Sequence, residues 1–237
     1  MTSKRENIYV RFVELDDSFV TYEDRLNHLV STTLGYPNSL IVASEVYLSG
    51  FDYDNMEKAS NFSQMAIEKL IEIAENQIII LTVIRKIDNA FVNQAIVIHN
   101  HKIVHTQEKS KLFKLGGEDR YFVSGQDNKI KPFEINGIKI GILICFELRF
   151  KELWKVLEGC DIIAVPSKWG VLRELHFRVL SNALAVMNQC FVVAHSSGGK
   201  DIVNSSMIYS PNGNLVDNID IAEVAKMKRY IAVGWGC

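Results

Sequence analysis

The apolar positions of this chain fall into two rhythms that alternate along its length. Residues 8–13 alternate apolar with polar side chains and read as a strand, while 40–43 and 78–84 are unbroken apolar runs, short enough for strands buried on both faces. Between those runs Phe62, Ala66, Leu70 and Ile73 recur every three or four positions. That spacing predicts a helix over about 57–76 with one apolar face laid on a sheet. Strands are expected next over 91–98 and 102–105, and on either side of Asn136-Gly137, a pair suited to a tight hairpin turn. Residues 151–157 look helical, 161–165 form an apolar strand ending at Pro166, and 173–187 form a second amphipathic helix. Strands over 191–194, 206–209 and 215–216 complete the pattern, with Pro211-Asn212-Gly213-Asn214 supplying turn chemistry between the last two. Strands and helices interleave without a repeat or a linker, so a helix-covered α/β layered fold is expected.

Composition narrows the class. A chain of 237 residues can bury one large core, so a single domain over 1–237 is expected. Hydrophobic residues make up 48% and charged ones 23%, the balance of an ordinary globular enzyme, which argues against disorder. The formal charge is −2 with no basic stripe, so nucleic acid and an anionic membrane surface are both poor partners. The start of the chain reaches no long apolar stretch before Glu14, Asp16 and Asp17, and no run approaches the roughly 20 residues that span a bilayer. Cytosol is the expected compartment. The four cysteines, Cys145, Cys160, Cys190 and Cys237, are far apart with no CxxC pair, which suggests neither a disulfide framework nor a zinc knuckle.

Of the four, Cys145 closes the apolar run Gly141-Ile142-Leu143-Ile144, where a thiol at the end of a buried strand is placed to act as a nucleophile. A free thiol has a pKa of about 8.5 and needs a base or a positive neighbour at neutral pH. Glu45, just after another buried strand, supplies a candidate base that can take the thiol proton and return it to a departing amine. Lys109 supplies a fixed positive charge. With the Phe146 amide, it is the candidate donor to the oxyanion that forms as the thiolate attacks an amide carbonyl. Each residue also has a plain alternative: a packed core cysteine, a solvated strand-end carboxylate, one lysine in a run with Lys102, Lys111 and Lys114.

Taken in order, these pieces resemble the nitrilase superfamily of carbon–nitrogen hydrolases, which use a Glu-Lys-Cys set. The likeness spans nearly the whole chain: Glu45-x-x-x-x-Gly50, Asn93-Gln94-Ala95, Lys109-x-x-Leu112-Phe113, Glu118, and Gly141-x-x-x-Cys145-Phe146-Glu147-x-Arg149-Phe150. It continues through Gly159-Cys160-Asp161, Pro166-Ser167-Lys168-Trp169, Ala185-x-x-Asn188-Gln189 and the segment from Ser206 to Gly213. The resemblance implies a four-layer αββα sandwich, two central sheets flanked by helices, that pairs into a homodimer or a higher homo-oligomer. It implies no metal and no organic cofactor, and it puts Glu118 beside the Glu-Lys-Cys set as an auxiliary carboxylate. Two departures stand out: Asn182 where the family often has Arg, and Ser44 where it often has Pro. The C-terminal stretch Val233-Gly234-Trp235-Gly236-Cys237 is short for the family, leaving less tail to support a dimer partner.

Arg149, one helical turn past Cys145, is a candidate for pairing with a substrate carboxylate, the alternative being an internal ion pair. Trp169 and Phe146 are expected to wall the pocket. His176 is placed either as a rival base for the thiol or as a pocket residue packing beneath Trp169. His99, His101 and His105 alternate in a strand-like segment but lack the partners of a metal site. The function expected is hydrolysis of a small non-peptide amide, ω-amidase-like or aliphatic, to acid and ammonia through a cysteine thioester. The alternatives are an N-carbamoyl amine or amino-acid amidohydrolase, an acyltransferase using the same thioester, and a non-catalytic binding subunit.

Overall fold

The computed structural model describes residues 9–13, 15 and 18–230. In chain order the first half contains β1 (Tyr9–Val13), α1 (Tyr22–Gly35), β2 (Ser39–Val42), α2 (Met56–Ile73), β3 (Ile78–Ile87), β4 (Ala90–His99) and β5 (Lys102–Glu108). The second contains β6 (Phe133–Ile135), β7 (Ile138–Ile142), α3 (Lys151–Val156), β8 (Ile162–Ser167), α4 (Glu174–Asn188), β9 (Phe191–Ser196), β10 (Ser205–Tyr209), β11 (Leu215–Val216), β12 (Ile219–Asp220) and α5 (Ile221–Tyr230). They form two six-stranded mixed sheets, ordered β12-β1-β2-β3-β4-β5 and β11-β10-β9-β8-β7-β6. Each has a parallel trio at its centre, β1-β2-β3 in one and β7-β8-β9 in the other. Helices make the crossovers, α1 and α2 in the first trio, α3 and α4 in the second, as parallel strands require.

The unbroken apolar runs are explained by what lies on each face. Leu40, Val42, Ile78, Ile80, Ala95 and Val97 point into one core shared with Ile140, Ile142, Ile162 and Ala164 of the other sheet. Their sequence neighbours Ile41, Ile79, Leu81, Ile96 and Ile98 point the opposite way, onto Leu26 and Leu29 of α1 and Ala66, Ile67 and Leu70 of α2. Successive strand residues thus alternate between a sheet-on-sheet layer and a sheet-on-helix layer, and both are dry. This is the αββα sandwich that the resemblance implies.

Four local differences from the expected elements have physical reasons. Helix α1 was not expected because only Tyr22, Leu26 and Leu29 are fully covered apolar residues on it; its start is set by Thr21, whose hydroxyl accepts from the Asp24 N–H at 3.1 Å. Strand β8 runs through Pro166 to Ser167, in register with His195 and Ser196 of β9. Gln189 ends α4 in the left-handed conformation. His99, His101 and His105 do not share a strand face: His101 lies in the β4–β5 turn at φ +57°, and His105 is buried against Phe133 with ring centroids 4.4 Å apart. Cys160 and Cys190 are buried in the core, whereas Cys237 and the last residues lie outside the described residues. Among the described residues no helix is long and apolar enough to cross a membrane.

Candidate active site

Three strand ends deliver the site. Past β2 the chain continues through buried Ala43 and Ser44 to Glu45, only 1% exposed, whose N–H reaches across to the Ser167 carbonyl of the other sheet at 3.2 Å. Val46 then turns the chain at φ +44°, a conformation that a β-branched residue rarely adopts. Past β5 comes Lys109, with its N–H on the Asn93 carbonyl at 2.8 Å. Past β7 the chain reaches Cys145, itself at φ +47°, the first residue of a 3-10 turn from Cys145 to Arg149. Gly141, four residues before the thiol, lets β7 lie close to α3 and its following loop: a Cβ there would come within 2.9 Å of Leu157 Cδ2 and 3.2 Å of Cys160 Sγ.

Lys109 is completely enclosed, which a lysine tolerates only when paired. Its Nζ donates to Glu45 Oε1 at 2.7 Å and to both oxygens of Glu118 at 2.8 Å. Burial alone would pull its pKa down, but the charges of Glu45 and Glu118 beside it outweigh burial and raise it, so it stays an ammonium. Burial and the Glu45 charge push Glu118 up, against the downward pull of Lys109. One ammonium thus faces two carboxyl groups. Glu118 Oε2 also accepts from the Phe113 N–H at 2.9 Å.

The thiol belongs to the same electrostatic unit. Desolvation and the Glu45 charge raise the Cys145 pKa well above its ordinary value, while Lys109 and a backbone hydrogen bond from Lys168 pull it down. On balance the surroundings favour the protonated thiol, which needs a base close by to take its proton. Glu45 is equipped to take it. Oε1 is occupied by Lys109 and by Asn93 Nδ2, the latter at 2.8 Å, whereas Oε2 is buried and has no hydrogen-bond partner.

A second buried carboxyl ties the site's backbone together. Glu147 is 0% exposed and accepts from the Ser110 N–H at 2.7 Å, the Ser110 hydroxyl at 3.1 Å and the Ile144 N–H at 2.7 Å. It thereby links the residue after Lys109 to the residue before Cys145. Burial raises its pKa to about 7 despite those bonds.

Cys145 opens on a narrow cleft with Phe113, Phe146, Trp169 and Gly170 as walls and Arg149, Lys168 and Arg173 as its charged lining. The free space is about 30 Å³, roughly one water molecule's share. Phe113 and Phe146 separate it from a roomier cleft of about 770 Å³ whose lining includes none of Glu45, Lys109 and Cys145. Arg149 lies over the Trp169 ring at 4.9 Å and Arg173 over Phe113 at 5.2 Å. Neither arginine pairs with a carboxylate among the described residues, so the internal ion pair considered for Arg149 is not formed. Burial and the neighbouring Arg173 charge hold the Arg149 pKa down. His176 is exposed and meets Arg149 Nη2 through Nδ1 at 3.1 Å; Phe177, not His176, packs on Trp169. Asn182 donates to the Gly213 carbonyl at 2.5 Å and so fastens α4 to the β10–β11 turn.

The structure therefore unites Glu45, Lys109, Glu118 and Cys145, and puts Phe146, Arg149 and Trp169 around the thiol. Sequence reasoning missed Arg173, the Glu45 contact of Asn93, and the clamp made by Glu147. Of these, only Glu147 carried a local signal, as a carboxylate two residues after the thiol in an apolar setting.

Fold and thiol site together define an enzyme of the nitrilase-like αββα class. The chain belongs to the carbon–nitrogen hydrolase family, whose model matches residues 23–224. It is similar to the 2-oxoglutaramate amidase of Bacillus subtilis (strain 168), 26% identical over 216 residues that make up 82% of this chain and 83% of that protein. The omega-amidase YafV of Escherichia coli (strain K12) is 24% identical over 202 residues, 82% of this chain and 77% of the relative. Among solved structures, XC1258 from Xanthomonas campestris, a CN-hydrolase superfamily protein, superposes with a TM-score of 0.80 at 18% identity over 94% of this chain and 95% of that one, a likeness of fold.

Proposed function

We propose that this hydrolase cleaves a small non-peptide amide that also carries a carboxylate, in the manner of an ω-amidase, with Cys145, Glu45 and Lys109 as catalytic residues. The observation that carries the chemistry is the bare, buried Oε2 of Glu45 in the same electrostatic unit as the Cys145 thiol. Glu45 takes the Cys145 proton as sulfur bonds to the amide carbon. The positive charge of Lys109 and the Phe146 N–H stabilise the oxyanion. The C–N bond then breaks as Glu45 returns the proton to the leaving nitrogen, releasing ammonia and leaving a thioester. Glu45 next deprotonates water, whose oxygen attacks the thioester carbon; the C–S bond breaks, the thiol recovers its proton, and the acid departs. Glu118, bonded to two of the hydrogens of Lys109, steers the ammonium.

The substrate's acid is argued from the lining. A cleft with Arg149 and Arg173 and no carboxylate among its lining residues favours an anion, and a guanidinium can bind a carboxylate through two parallel bonds. The activities named for the Bacillus and Escherichia relatives, on 2-oxoglutaramate and as an omega-amidase, fit such a substrate. An N-carbamoyl amino acid would present the same carboxylate and is the second reading. Pairing into a homodimer is supported by exposed Leu175, Val179, Val186 and Met187 on α4.

Ammonia release from glutaramate-type amides, short neutral amides, N-carbamoyl amino acids and nitriles, run in parallel, tests this. The amide acids should be preferred over neutral amides by at least about tenfold in kcat/KM, the scale of one charge-assisted contact. Cys145→Ala should lose about 10⁴-fold or more in turnover and the covalent acyl adduct seen by intact-protein mass spectrometry. Hydrolysis by that variant at the native rate would remove the thiol from the mechanism.

A further inference from the structure

Glu45 has two chemically different oxygens, and the difference is made by Asn93. This residue sits in β4 opposite Ile84 of β3, is 1% exposed, and donates from Nδ2 to Glu45 Oε1 at 2.8 Å. Lys109 Nζ donates to the same oxygen at 2.7 Å. Asn93 is also joined to Lys109 through the backbone, its carbonyl accepting the Lys109 N–H at 2.8 Å. One residue thus holds the strand end that carries the ammonium and the carboxylate that the ammonium faces.

The far end of the amide completes the argument. Asn93 Oδ1 is buried with no hydrogen-bond partner, as is Glu45 Oε2. The reverse orientation would set a carbonyl oxygen against a carboxylate oxygen, so chemistry fixes the amide with its donor toward Glu45. A buried amide left with one end unsatisfied is placed for the end that is satisfied. Two donors on Oε1 make it the poorer proton acceptor and stop the carboxyl from rotating, which leaves Oε2 as the acceptor.

We propose that Asn93 is a positioning residue that reserves Glu45 Oε2 for proton transfer with Cys145 and with the hydrolytic water. The proposal rests on Glu45 being the base. Asn93 does not touch the reacting atoms; it acts through Glu45. The charged and titratable groups facing this pair are Lys109, Glu118 and Cys145, with Tyr53 felt by both carboxylates and the ammonium.

The test compares Asn93→Leu and Asn93→Asp with the native protein and with Glu45→Gln on one amide acid, across pH. Asn93→Leu should keep its affinity for substrate but lose about 10²-fold in kcat, the scale of a misplaced reacting group, by a factor that does not change with pH. Asn93→Asp replaces one atom of the side chain. When protonated it can still donate to Oε1, and when ionised it faces Glu45 as a like charge. Its kcat should therefore approach the native value at low pH and fall away from it as pH rises, crossing toward the Asn93→Leu level. A residue that merely packs would give both variants the same pH-independent loss, tracking any loss of stability, and that result overturns the proposal. Native-like kcat in Asn93→Leu also overturns it. Should Asn93→Leu fail to fold, the pH-dependent ratio of Asn93→Asp to native decides alone. Native-like turnover by Glu45→Gln would instead reject Glu45 as the base, a failure of the underlying reading that is distinct from either outcome at Asn93.

Discussion

The turns that follow β2 and β7 do the same job by different means. Both leave a parallel strand at the seam between the sheets and both contain a residue with positive φ, Val46 in one and Cys145 in the other. After β2 the strained residue is the neighbour of the functional one, and neutral groups hold it: the Val46 N–H donates to the Thr82 hydroxyl at 2.6 Å, and its carbonyl accepts from the Gly50 N–H at 2.7 Å. After β7 the strained residue is the thiol itself, and an ionisable group holds the turn through the Ile144 and Ser110 N–H groups. The carboxylate base therefore stands on a frame that pH does not touch. The nucleophile stands on one that it does.

The two turns can be told apart by deleting what holds each. Glu147→Ala strands two buried N–H donors, and Thr82→Val strands one, in a nearly identical shape. At pH 5, where the Glu147 carboxyl is largely neutral, the first should cost about 2–4 kcal/mol and the second about 1–2 kcal/mol. Urea unfolding measures both. Equal losses would mean that the carboxyl clamp is no firmer than a single hydroxyl.

The turns should also separate by pH. Burial raises the Glu147 pKa from 4.5 to about 7. Below 4.5 the carboxyl is protonated in folded and unfolded chains alike. Between the two values the fold keeps a proton that the unfolded chain has released, so this contribution to stability is lost as pH rises and is gone above 7. At 1.36 kcal/mol per unit the loss approaches about 3 kcal/mol. Glu147→Gln cannot titrate, so the stability of the native protein relative to this variant should decline across that window. The difference between native protein and Thr82→Val should stay flat. Parallel curves for native and Glu147→Gln would show that Glu147 titrates no differently in the fold.

Much of this was legible in the chain because it depends on short-range order. The apolar runs at Leu40 and Ile78 mark strands covered on both faces, and Glu45 and Cys145 each stand just past a buried strand, while Lys109 stands past the edge strand β5, so side chains can converge at strand ends without breaking the core. What could not be read depends on contacts across the sequence. Asn93 meets a carboxylate 48 positions away. Arg173 falls at the start of an expected helix, and only the path of the chain after Trp169 turns it toward Cys145. Helix α1 is stabilised by joining a core cluster with α2 and the sheet, with too few apolar residues of its own to give a strong period. The positive φ values at Val46 and Cys145 were hidden for another reason: neither residue type favours that conformation, so no local preference announces it.

That shared strain gives the finest comparison. For an ordinary side chain the left-handed region costs roughly 1–2 kcal/mol, and glycine avoids it at a cost of about 0.5–1 kcal/mol in chain flexibility. At most positions glycine is therefore worse than alanine; at these two the order should reverse. Val46→Gly and Val46→Ala both remove the buried valine branches, and Cys145→Gly and Cys145→Ala both remove the thiol, so each pair isolates the backbone and one methyl group. Glycine should exceed alanine by about 0.5 kcal/mol in each turn, read as a shift of the urea midpoint at unchanged slope. The margin should match between the turns even though their holding groups differ, because strain belongs to the backbone angle and not to what secures it. A glycine advantage at Val46 with an alanine advantage at Cys145 would mean that the thiol's turn is relaxed, and that its geometry is imposed by Glu147 alone.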